Sequence, residues 1–276
     1  MTLNDLHRQV QSLNDTPPMP VLFVGHGTPM NAIENNQFAQ SWHSIGQTLP
    51  HPQAILCISA HWETRGTYVT ALEQPKTIHD FGGFPRELYA QQYDAQGSPL
   101  LAETVANTIT DVSIGLDYQW GFDHGSWSVL KHIYPKADVP MVELSIDHFK
   151  DLQWHYDFAK ELAFLRRKGV LIIGSGNMIH NLRILEVPDG DFNTSYGYDW
   201  AWELNSIFNQ KIEEGDHRSL IKYESLMKET QLAVPTKEHY IPMLYALALQ
   251  SKDDRLELFN NTVVAGALSM TSFIIQ

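Results

Sequence analysis

The sequence predicts a single α/β domain, on two observations. Short apolar runs closed by Gly or a small polar residue alternate with longer helical patterns, the signature of a sheet covered by helices. Four of those runs, residues 21–24, 54–59, 140–146 and 170–173, are apolar enough to be covered on both faces, as buried strands of such a sheet are.

In chain order, residues 1–15 read as a short polar helix or loose extension, and Thr16-Pro-Pro-Met-Pro20 as a stiff connector into the first strand. Residues 152–168 space Leu152, Tyr156, Ala159, Leu162, Ala163 and Arg166 by three and four, which predicts a helix closed by Gly169. Residues 198–215 and 241–250 predict further helices, and 265–275 alternates as a final strand. Residues 77–93 and 120–127 are Gly- and aromatic-rich loops. No repeat, low-complexity tract or charge run marks an internal boundary. The expected organisation is an extension over 1–19 and one domain over 20–276.

Composition narrows the function classes. The 276 residues carry 32 Asp and Glu against 19 Lys and Arg, a net charge of −13. That field repels phosphate backbones and anionic membranes, so nucleic acid and membrane partners are not expected. No stretch approaches the roughly 18 uninterrupted apolar residues of a membrane span, and residues 1–20 lack the pattern of a secretory leader. The expectation is a soluble, cytoplasmic protein, monomeric or a small homo-oligomer. Cys57, the one cysteine, lies inside an apolar run and reads as a small hydrophobe.

The 13 histidines are the unusual feature, and their positions say more than their number. The runs ending at Gly25 and Ala60 are followed at once by His26 and His61, and residues 170–173 lead through Gly174-Ser-Gly176 to His180. Ligands of open α/β sheets bind outside the carboxyl ends of the strands, so these imidazoles point to a metal or catalytic site. His239 follows Thr236, a fair N-cap, and in a first helical turn it stays neutral and able to ligate. His124 sits between aromatics and glycines in Gly121-Phe-Asp-His-Gly-Ser-Trp127, and His79 lies in a comparable loop with a lid character. His7, His43, His51, His132, His148, His155 and His217 read as surface residues.

Other chemistries lack their residues. Gly25-His-Gly-Thr-Pro has no P-loop lysine, and Gly174-Ser-Gly-Asn-Met-Ile has no third dinucleotide-binding glycine. There is no Gly-x-Ser-x-Gly elbow and no His-Glu-x-x-His helix.

Six motifs in order, Gly25-His-Gly-Thr-Pro-Met30, Ile58-Ser-Ala-His-Trp-Glu63, Ile78-His-Asp-Phe-Gly-Gly-Phe-Pro85, Gly121-Phe-Asp-His-Gly-Ser-Trp127, Gly174-Ser-Gly-Asn-Met-Ile-His-Asn181 and Glu238-His-Tyr-Ile-Pro-Met243, resemble those of the 4,5-DOPA extradiol dioxygenase family. That family belongs to the class III extradiol ring-cleavage dioxygenases. The resemblance covers nearly the whole chain from Pro20. It implies a single domain with a central mixed, mostly parallel sheet flanked by helices, and a non-haem divalent metal, Fe(II) for activity with Zn(II) also accommodated. Its substrates would be O2 and a catechol such as L-DOPA or caffeate, opened to a muconate semialdehyde. His26, His61 and His239 would be metal ligands. His180 would be a catalytic base or a fourth ligand, His124 a second catalytic and substrate-binding residue, and His79 a further substrate contact. Where the protocatechuate branch completes its triad with a glutamate, His239 stands here. Phe81, Phe84, Trp120 and Trp127 are candidates for packing the ring. Two alternatives use the same histidines: a zinc hydrolase with a carboxylate such as Glu63 as base, and a non-catalytic metal-binding protein.

Overall fold

The computed structural model describes residues 13–276, so His7 and most of the N-terminal extension lie outside the described residues. Its strands are β1 (Val21–Gly25), β2 (Ala54–Thr64), β3 (Thr67–Thr70), β4 (Ile114–Asp117), β5 (Met141–Asp147), β6 (Val170–Gly176), β7 (Leu256–Phe259), β8 (Val263–Val264), β9 (Leu268–Ser269) and β10 (Ser272–Ile275). Eight of them form one sheet in the order β4-β3-β5-β2-β6-β1-β10-β7, and β8 and β9 pair separately. The four mostly apolar runs are its centre. Strands β5, β2, β6 and β1 run parallel side by side, while β3 joins β5, and β10 joins β1, antiparallel. The sheet is thus mixed and mostly parallel.

Two apolar layers explain why those runs do not alternate. Val21, Phe23, Leu56 and Ile58 face one cluster, together with the helices Leu152–Lys160, Asp199–Glu213 and Ile241–Ala248. Leu22, Val24, Ile55 and Cys57 face the other, with the helices Gln37–Thr48 and His124–Ile133. Successive side chains of a strand point to opposite faces, so a strand covered on both sides is apolar at every position.

Several local expectations are corrected. The helix expected over 152–168 ends at Lys160, and a tighter 3-10 segment, Ala163–Lys168, runs on to Gly169, whose φ of 68° gives the left-handed cap. The strand expected over 265–275 is split into β9 and β10. Residues 120–127 are a loop only to Asp123, whose side chain accepts from the backbone N of Ser126 and starts a helix at His124. The helix expected from the Thr236 cap starts at Ile241 instead, with Pro242 in its first turn, where a missing N–H costs nothing. His155 is not at the surface. It is fully buried, its Nδ1 3.0 Å from the Tyr245 hydroxyl and its Nε2 3.2 Å from the carbonyl of Asp147.

Gly174 and Gly176 let the turn before the helix Ile241–Ala248 lie directly on β6. A Cβ at Gly174 would stand 2.2 Å from the carbonyl oxygen of Pro242, and one at Gly176 2.2 Å from that of His239. Both obstacles are backbone. The His239 carbonyl also accepts from the backbone N of Asn177 at 2.9 Å. Gly176→Ala is therefore expected to lower the unfolding free energy by about 1–3 kcal/mol. Gly82→Ala, where nothing lies within 4 Å, should stay within about 0.5 kcal/mol of the parent in the same urea titration.

Candidate active site

Strands β2 and β1 lie on either side of β6, and the carboxyl ends of these three neighbours deliver three of the histidines. His26 follows β1 directly, and its backbone N bonds to the carbonyl of Gly176 at the end of β6. His61 lies within β2, in the stretch between Ile58 and Glu63 where the β2–β5 pairing is interrupted. That irregularity turns the strand out of its ladder one residue after the apolar run. His180 follows β6, its backbone N held by the carbonyl of Ala233 at 2.8 Å. His239 arrives on the turn pressed against Gly176, and His124 at the first turn of its helix.

These five imidazoles line one cavity of about 400 Å³, with Asp80, Phe81, Phe84, Leu182, Leu185 and Phe192 among the other wall residues. His26, His124 and His239 are buried, and His61 and His180 partly so. Donor atoms of His26, His61 and His124 lie within 4.8 Å of one another, as do those of His180, Glu238 and His239. The rings of His180 and His239 stack in parallel, 3.5 Å apart.

The ring nitrogens facing outward are held, and those facing inward are not. Ser175 donates its hydroxyl to the Gly125 carbonyl, so its oxygen accepts from Nδ1 of His26 at 3.1 Å. Nδ1 of His61 lies 3.3 Å from Asp80 Oδ2, and Nδ1 of His239 lies 3.1 Å from Glu238 Oε1. Each contact leaves Nε2 as the free lone pair. Nε2 of His26 and Nε2 of His61 then face each other at 3.2 Å, and Nε2 of His239 is buried without a partner. Nδ1 contacts on the outer side that leave Nε2 free are the arrangement that orients histidine ligands on a metal.

The spacing fits an ion. Ring centres of His26, His61 and His239 form a near-equilateral triangle with sides of 5.0, 5.3 and 4.9 Å. An ion about 2.1 Å from each nitrogen lies roughly 3.2 Å from each ring centre, and three such rings at tetrahedral angles are roughly 5 Å apart. Three imidazoles suit iron(II) and zinc(II) alike.

Burial sets the charge state. Desolvation, then the neighbouring His61, holds His26 well below the usual histidine range, and desolvation, then His180, does the same to His239. Burial lowers His61 to about 3 and His180 to about 4, although Asp80 and Glu238 respectively pull the other way. All four are neutral at pH 7, the form that ligates metals and accepts protons. Burial acts to raise the Asp80 carboxyl, yet the hydrogen bond and charge of His124 bring it down to about 2.

A carboxylate layer that the histidine count did not indicate stands behind the rings. Asp80 Oδ1 accepts from the backbone N of His124 at 2.9 Å, and its Oδ2 lies 3.0 Å from that ring's Nδ1. Asp123 accepts from Ser59 at 2.6 Å. Glu143 on β5 accepts from the Asp123 backbone at 3.0 Å, from Trp120 Nε1 at 3.1 Å and from Ser126 Oγ. Burial raises Asp123 to about 6 and Glu143 well above the carboxylate range. The available signal was position: Asp80 and Asp123 each adjoin a histidine in motifs already singled out.

Other candidates fall elsewhere. His79 is behind the cavity wall, its Nε2 2.9 Å from the carbonyl of Gln91 and its ring against Phe81 and Trp127. Phe81 and Phe84 line the cavity. Trp127 is buried and donates to the carbonyl of Ile78, and Trp120 stacks on Trp62. Glu63 pairs with exposed His148 outside the cavity, so this carboxylate is not placed to act on a group bound among the histidines. Among the described residues no helix is long and apolar enough to cross a membrane.

Residues 17–272 match the family model described as the catalytic LigB subunit of aromatic ring-opening dioxygenase. The chain is 45% identical to an Escherichia coli K12 protein named 4,5-DOPA dioxygenase extradiol, covering 92% of this chain and 93% of that one. It is 36% identical to a Beta vulgaris protein of the same name, over 91% and 94% of the two chains. The crystal structure of an uncharacterized protein of Escherichia coli K12 superposes with a TM-score of 0.80 at 39% identity, covering 94% of this chain and 100% of that one. With the fold, the clustered histidines and these likenesses together, the chain belongs to the LigB family of aromatic ring-opening dioxygenases and is an extradiol member of it.

Proposed function

We propose that this enzyme opens the ring of a catechol beside its two hydroxyls to give a muconate semialdehyde, with iron(II) held by His26, His61 and His239. The observation that carries the reading is the triangle of three imidazoles with ring centres 4.9 to 5.3 Å apart, each with its Nδ1 held from outside so that Nε2 is left to ligate. When bound, the iron supplies a Lewis-acid centre where catechol and O2 meet, and it eases loss of a hydroxyl proton.

The rest falls to the chain's own residues. His180, neutral and on the cavity wall, accepts the catechol proton, and Glu238 favours the protonated ring that results. His124, tied to Asp80 at its Nδ1, returns a proton as the ring opens. Phe81 meets the His124 ring edge-on at 5.5 Å and packs the substrate ring. His79 acts through Phe81, whose orientation it supports.

Three outcomes test the proposal. Protein reconstituted anaerobically with iron(II), then given L-DOPA or caffeate in air, should consume oxygen and form a yellow ring-opened product; iron-loaded protein inert toward a whole catechol panel would refute it. His26→Ala, His61→Ala and His239→Ala should each lower bound metal at least tenfold by elemental analysis. Full occupancy in His239→Ala together with loss in Glu238→Ala would transfer the third ligand to the carboxylate. His180→Ala should keep its iron and bind catechol, with kcat down ~10²–10⁴-fold; a parent-like rate would move the base role to His124.

A further inference from the structure

The segment after His180 supplies three residues of the cavity wall, Leu182, Leu185 and Phe192. Its two ends rest on residues 263–265: the backbone N of Glu186 bonds to the carbonyl of Ala265, and that of Tyr196 to the carbonyl of Val263, each at 3.0 Å. Between these anchors, among the described residues, every hydrogen bond from 187–193 to the chain outside 187–194 is made by Asn193. Its Oδ1 accepts from Asn36 Nδ2 at 2.7 Å, its Nδ2 donates to Glu34 Oε2 at 2.9 Å, and its carbonyl accepts from Gln37 Nε2 at 3.0 Å. Asp189, Gly190, Asp191 and Thr194 around it are exposed. The receiving side is built differently. Asn36 caps the helix Gln37–Thr48, its Oδ1 accepting from the backbone N of Phe38 and of Ala39. Its Nδ2 also donates to Asn31 Oδ1 at 2.7 Å, and buried Asn31 donates to the carbonyl of His26 at 2.9 Å. Three side-chain amides thus join the strap to the residue that follows β1. One partner is fixed by the fold, and the other is held by a single side chain.

We propose that residues 187–194 are a gate of the histidine cavity and that Asn193 is its latch, a positioning residue that sets Phe192 against a bound aromatic ring. The inference rests on the ring-cleavage reading, because it takes this cavity as the place where the substrate ring binds. A hydrogen bond between partly open polar groups shifts an equilibrium by roughly two- to tenfold, so three of them at one residue can be undone without disturbing the sheet. Release at Asn193 moves Phe192 out of the wall and lets a flat ring pass. Latching returns that apolar surface to the ring and excludes water. A weakened latch therefore costs substrate binding, while the histidines keep their places at the strand ends.

The latch can be broken and rebuilt by charge. Asn193→Asp puts a carboxylate against that of Glu34, and adding Glu34→Gln offers it an amide donor instead. Both variants carry the same residue after Phe192, so the rate at which chymotrypsin cuts there compares release at a constant sequence. On protein as purified, Asn193→Asp should be cut after Phe192 about tenfold faster than the parent, and the double variant at about the parent rate. Iron(II) content should be equal in all three. Iron-loaded Asn193→Asp should bind L-DOPA roughly five- to thirtyfold more weakly under argon, and in air its KM should rise far more than its kcat changes. Adding Glu34→Gln should restore both affinity and KM. Parent-like cutting and affinity in Asn193→Asp overturn the inference, and so does a double variant that stays loose. Faster cutting with unchanged affinity and KM makes the segment an ordinary surface loop, which removes the gate and leaves ring cleavage intact. Binding that weakens and is restored as stated, with no ring opening in air, leaves the gate and removes ring cleavage. A parent protein that binds no catechol overturns both.

Discussion

Five imidazoles share one enclosed space, and what they require of each other governs the rest of the molecule. Neutral rings with converging lone pairs repel at 3.2 Å unless a proton or a cation lies between them. Protonation is the costlier relief, because burial disfavours charge on these rings. The scaffold therefore has to hold an unfavourable arrangement rigidly. It does so with a parallel sheet whose ends cannot shift independently, with a turn seated on glycine backbone, and with acceptors behind Nδ1 of His26, His61 and His239.

Those acceptors divide the electrostatic work. Asp80 is shared by His61 and His124 and stays ionised, so it compensates for positive charge arriving in the cavity. Asp123 and Glu143 lie deeper and are pushed toward their neutral forms, where they serve as hydrogen-bonding anchors. The same residue type thus fills two roles, decided by depth and neighbours. Ser175 does for His26 what the carboxylates do for the others without adding charge to the most buried corner.

Much of this was legible in the residues. The four central strands were recognisable because burial on both faces leaves them mostly apolar without alternation, and the site followed from histidines at or just past the ends of three of those strands. The edge strands β4 and β7, and β3 beside the first of them, were not recognisable, since four-residue segments carry too little pattern. Gly174 and Gly176 read as freedom for the backbone near His180. Their role is closeness, a contact between β6 and residues 239–242 that no local window contains. His155 read as surface because it lies on a helix with polar neighbours, and its partner Tyr245 comes from a helix far along the chain. Asp80 carries no sequence signal of its own beside His79, because its role comes from two rings, His61 and His124, that only the fold brings to it.

The sheet order has a consequence for how the protein is made. Strand β1, which carries His26, is flanked by β6 and β10, and the backbone N of Gly25 bonds to Ser272 Oγ at 3.0 Å. On a ribosome, β1 emerges early and waits for partners that are synthesised much later. Until β6 and then β10 leave the exit tunnel, its edges stay open to any other extended chain. Long-range pairing of this kind closes slowly, because loop entropy is lost before contacts repay it. The histidine cluster is thus among the last features to assemble, and a nascent chain interrupted before residue 272 has four of its central strands but not the neighbour that fixes the first of them.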